Sequence, residues 1–372
     1  MPAYLRHHPM TPPRSRTPLE PLGKRRRAAI ATLVAAFTLA PITLHAQYPV
    51  VGLYPLAPTP YLNPASLAPE PRVSGYLIVR ETVRDDSAAF RIWRARIGAQ
   101  ALVAPFVALK LQADLSALGQ VSNDTVPGFQ ITDAYAQLWA NDTSNRLVRA
   151  LRPTLYLGQF KAPFSLEYNT SSSLVMTATR SLIVERHSAR RELGALGHLR
   201  FSRWALLAGA VVNGEGANRI ANPDGKQMAI GRLTVFPIPR LALSAKILNQ
   251  GDDHRWGYDG RFFLNGDELI VEGEAIKRTS PSGVNELDAG GGYALVAYRP
   301  LSWVQPLVKW ERLRELTITP TTANEIEVRN TTFGVNFYAP RDRVRLIVNW
   351  IAKSGDVFNG EDELVVQLVA IY

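Results

Sequence analysis

Arg343-Val344-Arg345-Leu346-Ile347-Val348-Asn349-Trp350-Ile351-Ala352-Lys353 alternates with period two. Val344, Leu346, Val348, Trp350 and Ala352 share one face, and Arg343, Arg345, Ile347, Asn349, Ile351 and Lys353 lie on the other. Period two is the signature of a strand with unlike faces. The segment is about ten residues long, the length of a tilted strand that crosses a bilayer. Its polar face carries charge at the strand centre. That combination suits a strand with lipid on one side and a watery lumen on the other. The same pattern recurs at 107–115 (Leu109 and Leu111 against Lys110 and Asp114), 241–249 (Leu241, Leu243, Ala245 and Ile247 against Lys246) and 269–276 (Val271 against Glu272 and Glu274).

Sixteen such segments are expected, near 73–84, 89–99, 104–116, 130–140, 150–160, 193–202, 204–213, 227–236, 240–249, 258–265, 268–277, 292–299, 303–314, 328–338, 342–353 and 363–372. An even number lets an antiparallel barrel close with both ends on one side. Connections at 202–203, 236–240, 299–302 and 339–341 read as short periplasmic turns. Stretches 161–192, 214–226, 278–291 and 315–327 read as long external loops, and Gly290-Gly291-Gly292 as a turn before a strand. Trp204, Phe236, Trp303, Tyr338, Trp350 and Tyr372 stand near segment ends, where an aromatic girdle belongs. Leu364, Val366, Leu368, Ala370 and Tyr372 alternate to an aromatic end. Leu368, Ala370 and Tyr372 are therefore expected to form the signal read by barrel-assembly machinery. The fold class is an all-β, 16-stranded antiparallel transmembrane β-barrel.

The composition agrees. The chain has 372 residues, no Cys and a mean hydropathy of −0.06. Zero Cys excludes disulfide scaffolds and thiol chemistry. The formal charge is +10, but residues 1–46 hold seven basic side chains and one acid, so the remainder carries 35 against 31, or +4. A nucleic-acid partner loses its support with that apportionment. Lys24-Arg25-Arg26-Arg27 precedes an apolar stretch at 28–44, and Leu44-His45-Ala46 ends on a small residue. Residues 1–46 thus read as an N-terminal extension and secretory signal peptide, cleaved after Ala46. A short membrane anchor is the other reading. Residues 47–71 contain seven prolines and form a Pro-rich leader, leaving 72–372 for the barrel.

Two stretches resemble the phosphate-selective porin O and P family. The first is Phe90-Arg91-Ile92-Trp93-Arg94-Ala95-Arg96-Ile97-Gly98. The second runs from Asp133-Ala134-Tyr135 through Gly158-Gln159-Phe160-Lys161-Ala162-Pro163-Phe164, a Ser/Thr-rich loop with Arg180-Ser181-Leu182, and Arg190-Arg191-Glu192-Leu193-Gly194. The resemblance implies an outer-membrane channel for anions, usually trimeric, with 161–192 folded inward as a constriction loop. Dense basic ladders of that family cannot be aligned onto this chain residue by residue.

The loop holds Lys161, Arg180, Arg186, Arg190 and Arg191 against Glu167 and Glu185, and His187 adds charge in acid. These five cations are the anion-facing candidates of the constriction, with Arg180, Arg186 and Arg190 the residues expected to face the pore. Lumen parity adds Arg94, Arg96, Lys110, Arg200, Arg232, Lys246, Lys309, Arg343, Arg345 and Lys353, against Asp114, Glu272, Glu274 and Glu311. Pairing across the wall competes with solute contact at each position, and Glu192 is expected to pair with Arg190 and Arg191.

No catalytic residues, cofactor or metal are expected. The histidines of 47–372 (His187, His198, His254) show no paired metal spacing, and Asp252-Asp253-His254 with Asp259 is no EF-hand. Expected partners are outer-membrane lipid of a Gram-negative bacterium, small anionic solutes and two further copies in a homotrimer. Three alternatives stay open: a non-selective or structural envelope barrel, a barrel-embedded hydrolase using Ser202 near His198, and a soluble secreted β protein.

Overall fold

The computed structural model describes residues 71–84, 87–116, 129–140, 144–201, 203–265, 268–282, 285–356 and 362–372. The signal-peptide and leader expectations fall outside these residues, as does Ser202. Sixteen antiparallel strands close into one barrel in sequence order. They are β1 (Arg72–Arg84), β2 (Ser87–Ala104), β3 (Val107–Asp114), β4 (Gln130–Trp139), β5 (Thr154–Lys161), β6 (Arg191–Phe201), β7 (Ala205–Val212), β8 (Met228–Ile238), β9 (Leu241–Gln250), β10 (Asp253–Leu264), β11 (Leu269–Ser282), β12 (Asn285–Tyr298), β13 (Val304–Ile318), β14 (Ala323–Tyr338), β15 (Val344–Gly355) and β16 (Glu363–Ile371). Three short helices interrupt the connections: α1 (Arg146–Leu151), α2 (Leu166–Asn169) and α3 (Leu182–His187).

Closure is made by β16 against β1, with Val79 opposite Leu368 and Leu77 opposite Ala370. Beyond the last pair, Tyr372 N–H donates to Gly75 O at 2.9 Å and Gly75 N–H to Tyr372 O at 3.2 Å. Every strand edge is thereby paired, as a bilayer requires. Alternation holds where it was read. In β9, Leu243 and Ile247 are exposed outward while Ser244 and Lys246 are buried inward.

Several expectations need correction. The expected strand at 150–160 starts at Thr154, because Asn145 caps α1 by accepting from the amides of Leu147 and Val148. β10 begins at Asp253 rather than 258, and β12 at Asn285 rather than 292. Gly290, Gly291 and Gly292 are inside β12, where a Cβ on Gly292 would lie 2.7 Å from the Glu274 carbonyl. The triglycine thus permits close strand packing instead of making a turn. Residues 278–282, 285–291, 315–318 and 323–327 are consequently long strand ends. Tyr338 is no girdle residue. It is buried, and its hydroxyl donates to Gln305 at 2.6 Å. Arg343 lies in the turn before β15, and the Arg200 side chain is exposed near the end of β6, so neither lines the middle of the lumen.

Candidate pore constriction

Residues 162–190 leave β5 and return to β6 inside the barrel. Their neck is closed by Ala162 N–H to Arg190 O at 2.8 Å. Phe164, Leu166, Ile183 and Val184 are fully buried, and Phe164, Ile183 and Val184 belong to one apolar cluster with Ile270, Tyr293, Leu295 and Leu313 of the wall. The lumen face of β11–β13 is therefore partly apolar, and burial of this apolar surface seats the loop.

Polar groups of the wall then fasten the loop backbone. Arg232 donates to Phe164 O at 2.9 Å, and Arg261 to Thr170 Oγ1 at 2.9 Å. Lys309 donates to Thr179 O at 3.0 Å, Asn336 to Met176 O at 3.0 Å, and Arg345 to Ser173 O and Val175 O at 2.9 and 2.8 Å. Asn349 accepts from Ala178 N–H at 2.7 Å. Glu274 accepts from Ser165 Oγ and Glu167 N–H, and Glu311 from Leu182 N–H. These fastenings run along β8, β10, β11 and β13–β15 and end on β1, where Arg80 donates to Ala178 O. The wall's own charges cancel. Arg232 and Lys246 pair with Asp259, Lys246 with Glu274, Arg261 with Glu272, and Lys309 with Glu167 and Glu311.

Glu167 staples the loop to itself. Its carboxylate accepts Ser181 N–H and Oγ–H, both at 2.8 Å. Burial pushes this carboxyl up to about 7, against the pull of Lys309 and Ser181. His187 binds Glu315, as does Arg186, and burial holds the imidazole below its ordinary value. The expected extra charge on His187 therefore arises only at more acidic pH.

The five loop candidates separate. Lys161 is buried and donates to Tyr168 O, Asn169 O and Thr170 O at 3.1–3.2 Å, fixing the start of the loop. Arg191 is buried on Asp133 at 2.8 Å, which also takes Lys110 at 3.1 Å. Arg186 is tied to Glu315, and exposed Arg190 lies 3.6 Å from Glu185. Arg180 is held by Glu167 O, Thr170 O and Ser172 Oγ, all neutral acceptors. Its charge reaches Arg94 and Lys161. Glu192 does not pair with either arginine. It accepts Gly214 and Gly216 amides at 3.1 Å each.

Arg94, which feels the Arg180 charge, stands on β2 with Arg91 and Arg96 and beside Arg80 of β1, and of these Arg80 and Arg96 are buried. Arg96 and Arg94 share Asp114 at 2.9 and 3.5 Å. Arg80 binds the neutral Gln367 carbonyl. Arg80 and Arg91 lie directly across the strand pair, and the register shifts just below them, leaving Trp93 as an extra residue. Guanidiniums of Arg80, Arg91 and Arg94 stand 3.9, 4.1 and 5.0 Å from the Trp93 ring centre. Arg80 and Arg91 were missed in sequence. Parity with Tyr76 and Ile78 would have found Arg80, while the bulge hides Arg91. Lys353 pairs with Glu363 at 2.5 Å, and the Glu363 charge also reaches Arg80 and Arg91.

Among the described residues, no group of three potential ligands could hold a metal. Asp253 is taken by Arg255 and Arg278, and Asp259 by Arg232 and Lys246. His198 packs edge-on against Tyr156, with ring centres 5.3 Å apart.

Residues 79–238 match the model of the phosphate-selective porin O and P family. The match runs from β1 to the end of β8. Solved structures agree on the fold. The anion-selective porin from Comamonas acidovorans aligns with a TM-score of 0.59 at 10% identity, over 82% of this chain and 99% of that one. Salmonella typhi OmpF in complex with daunomycin aligns at 0.60 and 10%, over 81% and 97%. The trimer form of OmpT, an outer membrane protein of Vibrio cholerae, aligns at 0.57 and 9%, over 82% and 99%. No match was found among curated protein sequences.

Proposed function

We propose that this porin is a passive channel for small anions, with its filter between Arg180 on the loop and Arg80, Arg91, Arg94 and Arg96 on β1 and β2. The observation that carries this reading is an imbalance of charge. Arg80, Arg91, Arg94, Arg96, Lys110, Lys161, Arg180 and Arg191 pair directly with two acids, Asp114 and Asp133, while Glu363 and Glu185 act on Arg80, Glu363 on Arg91 and Glu167 on Arg180 from further off, so the cations still outnumber the acids. Fixed positive charge in a narrow wet passage lowers the barrier for anions. Guanidinium edges also match the oxygens of phosphate and carboxylate. The anion-selective porin of Comamonas acidovorans, similar in fold, lends the reading support.

The assembly is a homotrimer, supported by the trimeric Vibrio cholerae relative in fold. Export uses the signal peptide ending at Ala46, and Leu368, Ala370 and Tyr372 present the assembly signal. Liposome swelling with anionic, neutral and cationic solutes of matched size tests the channel. Faster entry of the anionic solute supports the reading. Equal rates would return it to a general porin, and no entry at all to a structural barrel.

A further inference from the structure

The lipid-facing side of β6–β8 is broken by a row of glycines. Gly197 pairs with Gly209, and Gly209 with Gly231. Bare backbone there floors an apolar cavity of about 630 Å³, walled by Leu138, Leu155, Leu199 and Leu207. The cavity reaches Ala140 and Pro153, the two feet of the connection that carries α1, and α1 itself packs near β6. Strand packing does not need the gap, since a Cβ on Gly209 would meet nothing within 4 Å.

Charge gathers at that end of the groove. Exposed Arg146, Arg149 and Arg152 lie on α1 and its cap, and exposed Arg200 and Arg203 follow Leu199. Among the described residues of 138–157 and 195–209 there is no acid. Trp204, under the Arg203 guanidinium at 4.7 Å, sits beside them as an interfacial aromatic does. An apolar slot that opens to lipid and ends under basic side chains has the shape and sign of an amphiphile with an anionic head. A ring of arginines would repel a second copy of itself, and a soluble anion would have no use for the glycine floor.

We propose that this groove binds an anionic glycerophospholipid, with an acyl chain on Gly197, Gly209 and Gly231 and its phosphate against the arginines of α1 and the β6–β7 turn. The site lies on the outer wall and is independent of the channel reading.

Native mass spectrometry of the folded protein in detergent, with phosphatidylglycerol or phosphatidylethanolamine of matched chains added, tests it. Phosphatidylglycerol is expected to be retained at several-fold lower concentration. Arg146→Glu combined with Arg149→Glu should erase that preference. Gly209→Phe fills the slot and should remove retention of both lipids, with thermal unfolding and ion conductance unchanged. Equal retention of the two lipids by the unmodified protein would overturn the proposal, as would undiminished retention by Gly209→Phe. Loss of oligomer in Gly209→Phe would also overturn it, by assigning the groove to a second copy.

Discussion

Behind the loop, Arg232, Lys246, Arg261 and Lys309 meet Asp259, Glu272, Glu274, Glu311 and Glu167, and every one of these side chains is nearly dry. Across the lumen, Arg80, Arg91, Arg94 and Arg96 crowd one strand pair with Asp114 as their bound acid. The first arrangement is what stability asks of buried charge. The second is not, because like charges facing each other across strands destabilise a sheet. The indole of Trp93, in contact with three guanidiniums, offsets part of that cost. Basic residues that point into one barrel thus divide by what faces them: those behind the loop meet acids, whereas Arg80 and Arg96, although buried, and the more open Arg91 and Arg94 crowd one another.

The division can be broken from either side. Lys246→Ala should have the largest effect, since it leaves Asp259 and Glu274 buried with one cation fewer. A loss of about 3–5 kcal/mol is expected in urea titrations of the vesicle-inserted barrel. If the loss were below ~1 kcal/mol, the wall would be wetter than drawn.

Glu167 comes next. Its folded value, about 7, lies above its ordinary value of 4.5, so the docked loop binds more protons than the released loop between these limits. Docking is therefore tightest below pH 4.5 and weakens as pH rises through about 7, by at most about 3 kcal/mol. Hydrogen exchange of 165–185 at pH 5 and pH 8 should show that slope, and Glu167→Gln should flatten it.

Charge reversal on the arginine-rich side should move permeation rather than stability. Arg180→Glu is expected to cut the chloride-to-potassium permeability ratio several-fold with little change in the melting temperature. Arg186→Ala should do least. Its guanidinium is exposed and already bound to Glu315, so a change of under ~1 kcal/mol and an unaltered permeability ratio are expected. An Arg186→Ala shift as large as that of Arg180→Glu would erase the distinction between cations paired with acids and cations held by neutral acceptors.

The barrel was legible because alternation survives in a single strand, as in Arg345, Ile347, Asn349 and Ile351 against Val348 and Trp350. Of the cations read at lumen parity, Arg96, Lys246 and Lys309 are buried in the structure, and Arg94 and Lys110 are half-buried. What parity cannot carry is the partner. Lys246 and Arg94 look alike along the chain, and only the path of the loop decides which is covered. That path rests on apolar lumen residues such as Ile270 and Leu295, which break the polar-inside rule and so read as noise. The bulge at Trp93 hid Arg91 by shifting parity, and long ends of β11–β14 looked like loops because charged pairs such as Arg312–Glu327 decorate them. Both failures have one cause: strand length and bulging are settled by neighbours across the sheet.

The zero-current potential of the reconstituted channel across a tenfold potassium chloride gradient tests the central claim most directly. The excess of arginines on β1, β2 and the loop predicts the sign of an anion-selective pore at neutral pH, reduced by Arg180→Glu. A potential of the cation-selective sign would contradict the account.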